Sequence, residues 1–217
     1  MKGDVIVLEE HHKQAAQKIV QLIIDEVKAK KGRFTVTIAG ESGSGKSETG
    51  KAFLDELARF GIRAFLLGQD DYFVLPPKSN DAKRREDSAW LGPHVEVKLG
   101  VLDRNLKDAI NGKEMIEKPL VDYDKSIIEE EYISLVGVKV VIAEGTYTSL
   151  LRNTDKRIFI ARSRLDTFEH RKKRNRGNEV GDPFIEQVLT IEHKIIAGHK
   201  QLADIVITKD FDVVVVE

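Results

Sequence analysis

Short, nearly continuous apolar runs rich in β-branched residues alternate along this chain with longer stretches whose apolar positions recur at three- and four-residue spacing. The first pattern marks strands buried on both faces and the second marks helices with one apolar face, so their alternation predicts an α/β layer architecture around a mostly parallel sheet. Strands are predicted over Thr35 to Ala39, Ala64 to Gly68, Val138 to Ala143, Arg157 to Ala161, Ile205 to Thr208 and Val213 to Val216, with Val5 to Leu8 as a further edge strand. Helices are predicted over Glu10 to Lys30, Lys46 to Phe60, Val97 to Asn111, Asp166 to Arg176 and Pro183 to Ala203. In the first helix Ala15, Ile19, Leu22, Ile23 and Val27 form a stripe that core packing explains without further chemistry. His11 and His12 sit at its start, where adjacent side chains diverge, and are read as a solvated helix end rather than a metal pair.

Two segments break the alternation. Between Met115 and Leu135, EMIEKPLVDY and EEEYISLV flank DKS and Ile127–Ile128, which predicts a small hairpin inserted beside the sheet. Pro76–Pro77 and the following KSNDAKRRED read as a polar, exposed and mobile loop. Repeats and linker-like composition are absent from the sequence, so residues 1–217 are expected to form a single domain.

Composition then narrows the chemistry. Lys and Arg number 35 against 36 Asp and Glu, a formal charge of −1, so no general attraction to nucleic acid or an acidic membrane is expected. The apolar runs are too short to span a bilayer and the start MKGDVIVLEEHH lacks a signal-peptide core, so a cytoplasmic location is expected. Cysteine is absent, which leaves carboxylates, His, Lys, Arg, hydroxyls and a bound metal to supply any reactivity.

The strongest local signal is Gly40-Glu41-Ser42-Gly43-Ser44-Gly45-Lys46-Ser47, a full match to the Walker A pattern, placed between a predicted strand and the helix predicted from Lys46, and these residues with Glu48 are the expected nucleotide-binding set. Its glycines permit backbone angles that turn successive amides toward phosphate oxygens, the helix N-terminus adds positive potential, and Lys46 can reach the β and γ phosphates. Ser47 is placed to ligate Mg²⁺. A nucleoside triphosphate with Mg²⁺ is therefore the expected ligand. The strand ending Val140-Val141-Ile142-Ala143-Glu144-Gly145 offers a single carboxylate followed by glycine, unlike the Asp-Glu pair of water-activating ATPases. Glu144 is expected to hold the Mg²⁺ shell or a substrate hydroxyl at the carboxyl end of a central strand. Thr208-Lys209-Asp210 is only a fragment of a guanine signature, and gives guanine selectivity no support.

After the next predicted strand comes Gln69-Asp70-Asp71-Tyr72-Phe73, and either aspartate suits a base for phosphoryl transfer to an alcohol. Farther on, Arg162, Arg164, His170, Arg171, Lys172, Lys173, Arg174 and Arg176 make a dense basic segment, read as an Arg-rich lid over the triphosphate in preference to a solvated helix face.

The ordered series GESGSGKS, LGQDDYF, LKDAINGKEMIEKP, VVIAEGTYTSLL, FEHRKKRNRGNE and QLADIVI resembles the uridine kinase and phosphoribulokinase group of P-loop kinases, over most of Phe34 to Thr208. The resemblance implies a three-layer α/β/α P-loop NTPase fold with the hairpin and lid as additions, and ATP-dependent phosphorylation of a primary hydroxyl, typically a nucleoside 5′-hydroxyl. It also implies Asp70 as the acidic base, Lys46 and Ser47 at the phosphate and magnesium positions, Glu144 as a further acid, and Arg171, Arg174 and Arg176 as lid arginines. Oligomers are common in the group, so a homo-oligomer is expected. Two departures bear on the acceptor. Where uridine kinases carry a His-Pro-Asp-Ala-Phe-Asp-like segment, this chain has Trp90 to Val97, with His94 and Glu96 as the nearest polar groups. Where they carry Pro-x-Tyr-Asp-x-x-x-His, it has Pro119 to Ser126, with Val121 in the aromatic place and Tyr123 two residues along. Tyr72, His94, Glu96, Asp122 and Tyr123 are the expected acceptor-side residues. A kinase for another small alcohol, such as a sugar phosphate or vitamin precursor, and a nucleotide-dependent regulatory module without transfer remain the alternatives.

Overall fold

A computed structural model of the chain describes residues 6–168, 171–172 and 182–216. Six strands form one sheet: β1 (Phe34–Gly40), β2 (Ala64–Gly68), β5 (Val140–Glu144), β6 (Lys156–Ile160), β7 (Ile205–Ile207) and β8 (Val213–Val215), in the order β2-β5-β1-β6-β7-β8. All neighbours are parallel except β7 and β8, which run antiparallel. Strands β3 (Met115–Asp122) and β4 (Ile127–Ser134) pair separately as an antiparallel hairpin, the insertion expected between Met115 and Leu135, although Ile127 and Ile128 belong to its second strand rather than to the turn.

Side-chain alternation on the central strands splits the core into two layers. Phe34, Val36 and Ile38 of β1 and Val140 and Ile142 of β5 pack with α1 (Glu10–Ala29) and α2 (Lys46–Arg59) on one face. Val141 and Ala143 of β5 face the other way, toward Leu102 and Leu106 of α4 (Leu99–Ile110), Ile116 of the hairpin and Ile196 of α5 (Pro183–Ile196). Helices thus cover both faces, the three-layer α/β/α arrangement expected of a buried parallel sheet.

Several local expectations are revised. Residues 6–8 are not a strand, and Val5 lies outside the described residues. In α1 the buried stripe is Ala15, Ala16, Ile19, Val20, Ile23, Ile24 and Val27, whereas Leu22 is 48% exposed. The segment read as a mobile loop contains a helix, α3 (Pro77–Glu86). It starts with Pro at its first position, where the missing N–H costs nothing. Its support is polar instead of apolar: the Asn80 side chain accepts from Trp90 Nε1 at 2.8 Å, and Arg84 Nε donates to Glu96 at 2.7 Å. The final predicted helix stops at Ile196, and a separate 3-10 turn, His199–Leu202, follows Gly198. Of the helix expected over Asp166 to Arg176, Asp166 and Thr167 belong to a turn, Phe168, Arg171 and Lys172 are helical as expected, and the remainder lies outside the described residues.

Candidate functional site

β1 is buried along its whole length and delivers the chain to the loop 40–45 at the carboxyl edge of the sheet, with α2 starting at Lys46. Gly43 and Gly45 have φ of +78° and +97°, conformations that an L side chain rarely adopts. Both are also crowded: a Cβ at Gly43 would lie 2.7 Å from Cγ of Arg171, and one at Gly45 would lie 2.9 Å from Nε2 of His12. Ser44 is buried, and its N–H closes a turn on the Glu41 carbonyl at 3.0 Å. Lys46 Nζ folds back to donate to the same carbonyl at 2.9 Å. Glu48 is buried in the first turn of α2.

β5 lies beside β1 with Ile38 opposite Glu144, so this carboxylate comes up next to the loop. Ser47 Oγ donates to Glu144 Oε1 at 3.2 Å. Burial, and then the negative charge of Asp70, push the Glu144 carboxyl up to about 7, while Lys46 and the Ser47 bond oppose the rise. Two hard oxygen donors and a nearby ammonium match what a Mg²⁺–phosphate group needs, since that ion takes few protein ligands and completes its shell with phosphate and water.

β2 pairs with the other edge of β5, with Gly68 opposite Glu144, and runs into the 3-10 turn Gln69–Tyr72. Three side chains of that turn are fastened to three different elements. Gln69 Oε1 accepts from Tyr147 N–H at 2.8 Å and packs on Gly145. Asp71 accepts from Val121 N–H at 3.0 Å and from Lys118 Nζ at 2.9 Å, both on β3. Tyr72 is fully buried, and its hydroxyl accepts from Asn105 of α4 at 2.9 Å. Asp70 alone of the four turns toward the loop.

Two cavities meet there. One, of about 160 Å³, is lined by Lys46, Ser47, Gly43, Glu144 and Arg171. The other, of about 430 Å³, lies between α3, the hairpin and α5, with Phe73, Asn80, Glu96, Tyr123 and Tyr147 in its wall. Asp70 and Arg84 line both.

The expected site residues fall into distinct places. Lys46, Ser47, Glu144, Asp70 and Arg171 come together. Arg171 is buried, paired with Glu186 of α5 at 3.3 Å and packed against Gly43 of the phosphate loop. Arg174 and Arg176, with His170, lie outside the described residues. On the acceptor side Glu96 and Tyr123 line the larger cavity. Tyr72 does not, because its ring is in the core beneath the turn. His94 is exposed and is not in either cavity wall. Asp122 is spent on the hairpin turn, where it accepts from Lys125 N–H at 3.0 Å.

Other groups at the site were not anticipated. Glu192 of α5 accepts from Ser42 N–H at 2.7 Å and from Ser42 Oγ at 2.9 Å, and burial pushes its carboxyl above the usual range. Glu41 binds His193 Nδ1 at 2.6 Å and Arg164 N–H at 2.6 Å, so the second loop residue tethers α5 rather than facing the phosphate cavity. Only one sequence signal pointed to Glu192, a lone carboxylate within the apolar run VLTIEHKII. Arg84 carried none, lying in a segment without apolar period. His12 corrects the reading of a solvated helix start: it is fully buried against Gly45, with Nδ1 accepting from Glu9 N–H at 3.1 Å, and His11 stacks on Phe211 with ring centres 3.9 Å apart.

No family model matches the chain. It is 28% identical over 189 residues to the bifunctional alpha-galactosidase/sucrose kinase AgaSK of Mediterraneibacter gnavus, an alignment that takes in 82% of this chain and spans only 20% of that protein. A uridine kinase of Bacillus cytotoxicus is 28% identical over 183 residues, 79% of this chain and 84% of its own length. In fold, phosphoribulokinase from Rhodobacter spheroides superposes with a TM-score of 0.62 at 13% identity, covering 82% of this chain and 71% of that one. The chain is thus similar in sequence to kinases named for sucrose and for uridine, and shares its fold with phosphoribulokinase.

Proposed function

We propose that this protein transfers the γ-phosphoryl group of ATP to a hydroxyl of a small polar acceptor, a nucleoside or a sugar. The observation that carries this reading is the position of Asp70 in the shared wall of the phosphate cavity and the larger cavity. A carboxylate at such a junction can hold an acceptor hydroxyl in line with a phosphorus atom seated in the loop. In the proposed step Asp70 takes the hydroxyl proton as the acceptor oxygen bonds to the γ-phosphorus and the bond to the β-phosphate oxygen breaks, leaving ADP. Lys46, the loop amides and Arg171 stabilise charge on the transferring group. Ser47 and Glu144 are the groups that would hold Mg²⁺. Bound there, the ion would neutralise phosphate charge and order the β and γ oxygens.

The lining of the larger cavity supports this acceptor class. Asn80, Arg84 and Glu96 present a fixed polar wall, with Phe73 and Tyr123 as the aromatic surfaces. Such a wall suits a ligand with several hydroxyls, whether the ribose of a nucleoside or a sugar. The relatives named for uridine and for sucrose phosphorylation make both worth testing. The test is ADP release from Mg²⁺-ATP with and without a panel of nucleosides, sugars and sugar phosphates. Strong stimulation by one acceptor, with its phosphate ester identified, supports the proposal. Failure of the whole panel would favour the regulatory module.

A further inference from the structure

The hairpin β3–β4 is not hydrogen-bonded to the main sheet, yet it reaches the site through a buried charge. Lys118 is 4% exposed, and its ammonium meets Asp71 at 2.9 Å, Glu131 at 2.8 Å and the Pro119 carbonyl at 2.8 Å. Asp71, 5% exposed, also takes the N–H of Val121. Buried ion pairs seldom improve stability over apolar packing of the same volume, because desolvation offsets the attraction. Holding two facing segments in one register is a use to which such a pair is suited. Here the register concerns the reacting groups on both sides. Asp71 is the neighbour of Asp70 on a four-residue turn, and Val121 and Tyr123 of the hairpin line the larger cavity.

We infer that Lys118 is a positioning residue: through Asp71 it clamps the turn bearing Asp70 to the hairpin that walls the acceptor cavity, and so sets the aim of Asp70 without touching the reactants. The inference rests on the transfer reading given above. With Lys118 removed, the Gln69 and Tyr72 attachments and the Val121 N–H bond to Asp71 still hold the turn in place, while the loss of the ammonium loosens the side that faces the hairpin. A shift of about 1 Å in a base can cost on the order of a hundredfold in rate.

The experiment is a double-mutant cycle on acceptor-stimulated ADP formation, using Lys118→Met, Asp70→Asn and their combination, with folding checked by thermal melting. Lys118→Met should lower kcat between about tenfold and a hundredfold, with the KM for ATP within about twofold of wild type because the phosphate loop is untouched. Combined with Asp70→Asn it should add little further loss, since both act through one group. Should Lys118→Met fail to fold, Asp71→Asn, which keeps an acceptor for Val121 N–H, takes its place in the cycle. Unchanged kcat, or losses that multiply in the combined variant, would overturn the inference while leaving the kinase reading intact. A wild-type protein that no acceptor stimulates would overturn both.

Discussion

Asp70 and Asp71 are adjacent and chemically identical, and their partners set them apart. Asp71 is committed to Lys118 and Val121, which leaves Asp70 facing the loop. Asp70→Asn should therefore reduce turnover by roughly a hundredfold or more with ATP affinity nearly kept, as measured by steady-state kinetics alongside nucleotide titration. Near-normal turnover would remove Asp70 from the base role. Glu144 supplies a pH prediction. Burial raises its carboxyl from 4.5 to about 7, so between those values the folded protein binds a proton that the unfolded chain does not. Stability from this group is therefore present below 4.5 and is lost as pH rises through about 7. Melting the metal-free protein at about pH 5 and about pH 8 should show a larger fall for wild type than for Glu144→Gln. Equal falls would mean that Lys46 and Ser47 already compensate the charge.

At the scale of elements, the turn after β2 and the turn after β5 are locked together at Gly145. A Cβ there would sit 2.2 Å from Cβ of Gln69, an overlap that only backbone movement can relieve. Gly145→Ala should cost about 1–3 kcal/mol by overpacking and, by pushing the Gln69–Tyr72 turn aside, lower kcat as well; denaturant unfolding and turnover measured on one preparation check both. Helix α3 illustrates what was hidden at this scale. PKSNDAKRRE has no apolar stripe, and nothing local distinguishes it from a polar loop. Its order comes from Asn80 and Arg84 reaching Trp90 and Glu96, partners supplied by the fold. The hairpin, by contrast, was legible, because two strand-like runs flank a short polar turn.

For the molecule as a whole, one side chain joins the layers. Arg33, just before β1, donates from Nε to the Val138 carbonyl at 3.2 Å, from one terminal nitrogen to the Ala109 and Lys113 carbonyls at 3.0 and 2.8 Å, and from the other to Leu135 at 2.9 Å. It thereby fixes the end of α4 and both feet of the hairpin to the sheet. Arg33→Ala should destabilise by roughly 2–3 kcal/mol, and hydrogen exchange should show protection lost first in the hairpin and the end of α4. Uniform loss across the sheet would contradict that local role. The sequence by itself determined the buried parallel strands, the helices of clear apolar period, the phosphate loop and the acid at the end of β5. Each of those depends on side chains close together along the chain, where the steric and solvation rules of strand, helix and glycine turn act locally. Tertiary structure alone decided that Asp70 rather than Asp71 faces the loop, that Tyr72, His94 and Asp122 stay out of the larger cavity, and that Arg84 and Glu192 enter it. Those outcomes depend on which distant group meets each charge. Burying an ionisable side chain is tolerable only where a partner arrives to meet it, and that arrival is a property of the assembled layers.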